Sequence, residues 1–154
     1  RQKPPDFKVE PAEAVVRAAL RQWEAQGGHE RIRVEERFGN ALPSIQVDPE
    51  QVKEALMNLL INAREAMPEG GTLTLTTRAG QDSEVEIEVA DTGNGIAPEH
   101  LSRIFEPFFT TKAYGTGLGL TNVKRLVEDN GGTLVVNSNA GAGTSFTLRF
   151  RAAG

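Results

Sequence analysis

Between residues 91 and 120 the chain reads DTGNGIAPEHLSRIFEPFFTTKAYGTGLGL, an aspartate followed by two glycine-rich turns with a Phe-rich segment between them. The residues before Asp91 alternate. Val85, Ile87 and Val89 share one parity and Glu84, Glu86 and Glu88 the other, so Asp91 falls on the apolar side and its carboxylate aims inward. A buried carboxylate without a partner is costly. No cation lies beside it in sequence, so its donor comes from elsewhere in the fold or from a ligand, and a purine amino group is one such donor. Gly93 and Gly95 then allow the backbone a close approach to a flat ligand. For an isolated DxGxG, a tight turn capped by Asp91 is the plainer alternative.

A second group lies on a helix expected over residues 51–67. At about 100° per residue, Val52, Leu56, Leu59, Leu60 and Ala63 form one apolar stripe, while Glu54, Asn58, Asn62 and Glu65 fall within a sector of about 80°. Met57 and Ile61 wall the far side of that polar strip. Asparagine is a mediocre helix former, and a solvated face is normally built from Glu, Lys and Arg. Side-chain oxygens in such a strip suit a metal ion and amides suit phosphate; the alternative is that the Asn pair satisfies backbone groups of a neighbouring loop. The third group is Gly115, Gly117 and Gly119 in YGTGLGL, ahead of a helix whose first N–H groups face a possible phosphate. It matches neither GxxxxGK[ST] nor the strand context of a dinucleotide-binding turn. Alone, it reads more readily as a Gly-rich connector.

Composition narrows the classes. The chain has 154 residues, 38% of them apolar, enough for one domain with one core. A formal charge of −4 and the absence of any Lys/Arg run beyond two residues argue against nucleic acid and against direct membrane contact. Zero cysteines exclude disulfides and thiolate metal sites, and His29 and His100 lack ligand spacing. No apolar run is long enough to cross a bilayer and no signal-peptide pattern opens the chain, so a soluble, cytoplasmic domain is expected. The opening RQKPPD reads as part of a longer protein.

The remaining elements follow from periodicity. A short strand at 7–10 precedes an amphipathic helix opened by Pro11, with Val15, Val16, Ala19, Leu20 and Trp23 inward and Gly27 and Gly28 at its end. Strands are expected at 32–38 and 45–47, a hairpin at 72–78 and 84–90, a third helix at 117–130, and a closing hairpin at 133–138 and 144–151. Asp48 caps the 51–67 helix. The expected fold is α/β (α+β), a two-layer sandwich in which three helices cover one face of a mixed, mostly antiparallel sheet.

Taken together, ExxxNLLxNAxxAM at 54–67, DTGNGI at 91–96, FEPFFTTK at 105–112 and GTGLGL at 115–120 are far more specific than any one of them. In order and spacing the chain resembles the catalytic, ATP-binding domain of two-component sensor histidine kinases, within the GHKL superfamily of gyrase, heat-shock chaperone and mismatch-repair ATPases. The resemblance covers residues 7–150, and NAREAMPEGG and FEPFFTTK look most like the nitrogen-regulation-type branch. It implies a Bergerat-type fold and ATP with Mg2+ as ligands. Asp91 would accept from the adenine amino group, with Gly93, Gly95 and Ile96 shaping the pocket. Asn58 would ligate magnesium and Asn62 would lie along the phosphates. Glu54 would position magnesium or polarise the acceptor histidine. Residues 110–115 would form a lid, with Thr111 and Lys112 toward the phosphates, and Gly115, Gly117, Leu118 and Gly119 would close on them. Phe105 and Phe108 would pack the lid's base.

The same resemblance implies transfer of the γ-phosphoryl group to a histidine on a separate dimerisation domain, in a homodimer that signals onward to a response regulator. Many such kinases place Lys or Arg three residues after the second Asn; here Glu65 stands there, and Arg64 is the neighbouring cation. His29 in GGHER and His100 in PEHLS lack the acceptor's helical context and are expected at the surface. The rival readings are an ATPase switch without a phosphoacceptor and an anti-sigma-type serine kinase.

Overall fold

The computed structural model describes residues 3–107, 109 and 119–154. Its strands are β1 (Lys8–Glu10), β2 (Ile32–Phe38), β3 (Ile45–Val47), β4 (Gly71–Ala79), β5 (Glu84–Asp91), β6 (Thr133–Asn139) and β7 (Gly143–Arg151). Between them run helices α1 (Ala12–Ala25), α2 (Pro49–Ala66), α3 (Pro98–Leu101) and α4 (Gly119–Asp129). The main sheet has the order β2-β4-β5-β7-β6; β2 and β4 are parallel and every other neighbouring pair is antiparallel. β1 and β3 form a separate two-stranded sheet. The mixed, helix-covered sandwich expected from the sequence is present, with one addition, the single turn of α3.

Each helix is placed by a short list of residues. The Asp48 side chain accepts from the N–H groups of Glu50 and Gln51, and Pro49 supplies a first helical residue that needs no partner for its nitrogen. α2 therefore begins two residues earlier than its apolar periodicity alone indicates. Val52, Leu56, Leu59, Leu60 and Ala63 are buried against the sheet and flanking helices, with Ala55, Met57 and Met67 added to them. α1 buries Val15, Val16, Ala19, Leu20 and Trp23, and α4 buries Val123, Leu126 and Val127. The start of α4 is described from Gly119; the two preceding residues of its expected span lie outside the described residues.

The register of the central strand fixes which side chains share the covered face. Val85, Ile87, Val89 and Asp91 of β5 stand opposite Phe150, Leu148, Phe146 and Thr144 of β7, and Ala79, Thr77, Leu75 and Leu73 of β4. Along β5 the row is apolar until its last rung, and the neighbouring strands bring in the buried Thr77 beside Ile87. The opposite face carries the polar parity, where Arg78 meets Glu86 and Glu88 at 2.8 and 2.7 Å and Arg149 meets Glu86 at 3.0 Å. Asn130 locks the helical layer: it accepts from the Asp48 N–H at 2.7 Å and donates to the Gln51 side chain and the Leu126 carbonyl. The N-terminal end of α2 and the C-terminal end of α4 are thereby tied through one buried amide.

Candidate functional site

Asp91 ends β5 on the covered face, between Leu73 and Thr144, and is 9% exposed. Its carboxylate accepts from the Gly93 N–H at 2.8 Å, and the Thr144 backbone supplies a second hydrogen bond. Burial nonetheless pushes its pKa above the ordinary carboxylate value, with those two bonds acting the other way. The inward acid read from strand parity is present, and the fold meets only part of its hydrogen-bonding capacity.

The turn after Asp91 is clamped from three sides. The Thr92 N–H donates to the Thr72 carbonyl and the Thr72 N–H to the Thr92 hydroxyl, which fastens the turn to β4. The Asn94 N–H donates to the Ala66 carbonyl at the end of α2, and the Asn94 carbonyl accepts from Gly141 in the β6–β7 turn. The Ile96 N–H donates to the Ser138 hydroxyl at 2.7 Å. The two glycines have distinct reasons here. A Cβ on Gly93 would sit 2.4 Å from the Ala66 carbonyl oxygen, and one on Gly95, whose φ is +75°, would sit 2.1 Å from the Asn139 carbonyl oxygen. Both serve the packing of protein backbone on protein backbone.

From that clamp the polar strip runs back along α2. Asn62 and Asn58 are half-buried, and Glu54 is exposed. Spaced four residues apart, they follow one another at intervals of about 6 Å. Glu54 is held across the helix interface, where the Asn122 side-chain N–H donates to its Oε2 at 2.8 Å. Asn122 in turn accepts from Arg125. Next to it the Thr121 hydroxyl donates to the Phe105 carbonyl at 2.8 Å, so the first turn of α4 is anchored on both sides. Gly119 opens that helix, and a Cβ there would meet nothing within 4 Å.

Arg64, the cation nearest the strip in sequence, is committed elsewhere. Its guanidinium donates to the Gly27 carbonyl at 3.0 Å, and its aliphatic stem passes Gly28 at the end of α1. Thr111, Lys112, Gly115, Gly117 and Leu118, together with Phe108 and most of the expected lid, lie outside the described residues. Phe105 and Phe109 are partly buried against the core. The two histidines are half-buried, not surface-exposed as the sequence indicated: His29 lies 5.1 Å from the Trp23 ring and His100 packs edge-on at 5.4 Å from Phe109. Among the described residues no three His, Cys, Asp or Glu side chains converge to hold a metal, and no helix is long and apolar enough to cross a membrane.

Asn122, Thr121 and Ser138 were not singled out from the sequence. Asn122 carried a signal, since it is a second case of asparagine inside a helix flanked by the glycine box. Ser138 carried none, because a serine near a strand end is ordinary until the chain folds the 92–96 turn against it.

The arrangement is an α/β sandwich in which a buried acid closes the central strand, a glycine turn is clamped to the end of α2 and a polar strip leads away along that helix. The model of the histidine kinase-, DNA gyrase B- and HSP90-like ATPase family matches residues 47–154. The chain belongs to that family and is an ATP-binding domain. Sensor histidine kinase ZraS of Escherichia coli (strain K12) is 46% identical over 109 residues, 71% of this chain and 23% of that protein. Sporulation kinase E of Bacillus subtilis (strain 168) is 35% identical over 134 residues, 87% of this chain and 18% of that protein. The catalytic domain of histidine kinase ThkA, solved free of nucleotide, superposes with a TM-score of 0.83 at 28% identity, covering 96% of both chains. Full-length ShkA in complex with AMPPNP superposes with a TM-score of 0.81 at 31% identity, covering 97% of this chain and 32% of that one. The match is to the catalytic domain of sensor histidine kinases, and neither an ATPase switch nor an anti-sigma-type kinase is favoured.

The raised pKa of Asp91 gives a stability test with a defined sign. A carboxyl whose folded pKa exceeds its unfolded value, ordinarily about 3.9 for Asp, weakens the fold when ionised. Its contribution is most favourable below the unfolded pKa and declines as pH rises through the folded one. Asp91→Asn keeps an acceptor for the Gly93 N–H and cannot ionise, so without nucleotide it should melt at or above the wild-type temperature at pH 7. That difference should shrink as the pH is lowered toward 4. A mutant melting well below wild type at pH 7 would show that the Gly93 and Thr144 bonds outweigh the burial cost.

Proposed function

We propose that residues 1–154 are the catalytic unit of a longer sensor histidine kinase and transfer the γ-phosphoryl group of ATP to a histidine on a separate dimerisation domain. The observation that carries this is the order of groups along α2. The Asp91 pocket abuts Ala66, and Asn62, Asn58 and Glu54 then follow toward the other end, about 18 Å away at 1.5 Å per residue. Adenine at Asp91 places the ribose and phosphates along the asparagines and the terminal phosphoryl group toward Glu54. The acid is thus beside the reacting group and away from the base.

Within that pose Asp91 accepts from the adenine amino group, Gly93, Gly95 and Ile96 form the wall of the adenine pocket, and Asn62 lies along the phosphates. The first N–H groups of α4, at Gly119, would face the phosphates; among the described residues nothing lies within 4 Å of a Cβ placed there. The donor set suits Mg2+ held between one side chain and the phosphates: magnesium keeps several waters, and the strip offers the Asn58 amide without a cage of carboxylates. When bound, the ion neutralises charge on the β- and γ-phosphates. Thr111, Lys112, Gly115, Gly117 and Leu118 complete the phosphate site in this reading.

The transfer step forms a bond from an imidazole nitrogen to the γ-phosphorus and breaks the bond to the β–γ bridging oxygen, which leaves on ADP with its electron pair. The Glu54 carboxylate accepts the proton held by the other ring nitrogen. His29 and His100, packed against the Trp23 and Phe109 rings, are not the acceptor in this reading. The acceptor belongs to a dimerisation domain of a homodimer, with a response regulator downstream. The nucleotide places the domain on the cytoplasmic side of any membrane that anchors the whole protein.

Three measurements test this reading. Asp91→Asn should lower ATP affinity by about ten- to a hundredfold, the equivalent of about 1.5–3 kcal/mol for a lost hydrogen bond to a charged acceptor. Unchanged affinity in a folded mutant would remove the adenine assignment. Asn58→Ala should abolish most of the difference between ATP binding with magnesium and with EDTA while adenosine binding stays constant; an undiminished magnesium effect would move the ligand to Asn62 or Glu54. Incubated with labelled ATP, the chain alone should acquire no acid-labile phosphate, yet it should label an added histidine-bearing dimerisation domain from its own protein. Label on His29 or His100 would reverse the division of labour proposed here.

A further inference from the structure

We propose that Asn122 is a positioning residue for phosphoryl transfer, holding the Glu54 carboxylate by one oxygen and leaving the other for the imidazole that receives the phosphoryl group. The inference rests on the role of Glu54 proposed above and extends it to a second helix. Asn122 lies in the first turn of α4 and spans the gap to α2, donating from Nδ2 to Glu54 Oε2 at 2.8 Å. Its other end accepts from the Arg125 guanidinium.

The chemistry of the three groups fixes the direction of the chain. A guanidinium has donors only, so Arg125 holds the amide oxygen toward itself and turns the amide N–H groups toward Glu54. An ionised carboxylate accepts only, so it meets the end of the amide that can donate. No described ion pair joins Arg125 to Glu54 directly; the neutral amide between them orients the carboxylate without neutralising it. That arrangement matters because Glu54 is exposed and a free glutamate side chain spreads over many rotamers. The Thr121 bond to the Phe105 carbonyl steadies the same helical turn, so the amide is delivered from a fixed backbone. Arg125 is itself partly buried, with its Nε out of solvent and without a hydrogen-bond partner, so packing and the Asn122 oxygen hold it.

The test uses the full-length protein and measures transfer rate at saturating ATP together with ATP affinity. Asn122→Ala, which favours the helix, and Asn122→Asp should each slow transfer by about tenfold while the ATP Kd stays within about twofold of wild type. Asp keeps the size of the side chain and the acceptor for Arg125, replaces the donor to Glu54 by an acceptor and adds a like charge beside it, whereas Ala removes the donor without adding charge. A residue that merely braces α4 would tolerate it, so wild-type transfer by Asn122→Asp overturns the proposal. In a Glu54→Gln background, Asn122→Ala should cause no further loss; the same loss in both backgrounds also overturns it. If Glu54→Gln transfers at the wild-type rate, the role of Glu54 fails and this inference with it. Impaired Glu54→Gln beside unimpaired Asn122 variants removes the inference alone.

Discussion

The structure depends on one unfavourable placement, a carboxylate at the end of the row that forms the core. Register puts Asp91 on the covered face after Val85, Ile87 and Val89, with Leu73 and Thr144 as its lateral neighbours. Two backbone hydrogen bonds do not offset its burial, as its raised pKa shows. What keeps it there is the remainder of the row: the buried side chains of β4, β5 and β7 cannot leave the helices without exposing the core, and a one-residue slip of β5 would exchange both faces at once. Core packing therefore holds in place an acid that the proposed adenine contact would use. Such a site is a local cost to the fold and a local gain to binding, and those two effects can be separated by measuring each without the other.

The glycines divide along the same line. Gly93 and Gly95 are required because the 92–96 turn lies on the backbone of Ala66 and Asn139, with carbonyl oxygens where a Cβ would be. They make a ligand pocket only indirectly, by bringing the turn down onto the end of α2 and setting the height of its wall. Among the described residues Gly119 has no such contact within 4 Å of a Cβ placed there. Identical residue types in two neighbouring boxes thus answer to different neighbours, one to the protein and the other to whatever occupies the groove.

Much of this was legible in the sequence because it is periodic. Strand parity located the inward aspartate, and arithmetic on the α2 helix separated a buried stripe from a strip holding Glu54, Asn58 and Asn62. What could not be read is what crosses from one element to another. The sequence left open which α2 cation meets the phosphates, and it could not show that the end of α1 presents the Gly27 carbonyl to Arg64. Asn130 looked like a helix-ending residue and is the buried tie between α4 and the cap of α2. His29 and His100 were expected at the surface from their settings in GGHER and PEHLS, whereas Trp23 and Phe109 reach them only after folding. Each of these depends on a partner whose direction only the tertiary structure supplies.

The family match begins at residue 47, yet β1, α1 and β2 precede it and are integral to the fold that the solved relatives share. The reason is visible in what these elements do. α1 contributes apolar side chains to the core and takes up Arg64 at its end, and β2 closes one edge of the sheet beside β4. Such roles constrain only size and polarity, which many sequences satisfy, so they leave little trace in a motif. From α2 onward, in the site proposed here, residue identity matters atom by atom: an amide at Asn58 and Asn62 and an acid at Asp91 for the ligand, and a missing Cβ at Gly93 and Gly95 for the close approach of backbone to backbone. In the proposed pose the length of α2 sets the distance between recognition and chemistry, because Asp91 abuts its last turn and Glu54 lies near its first. Changes at one end should act on affinity and changes at the other on rate, since a rigid helix of fixed rise separates them and little in the core allows that spacing to adjust.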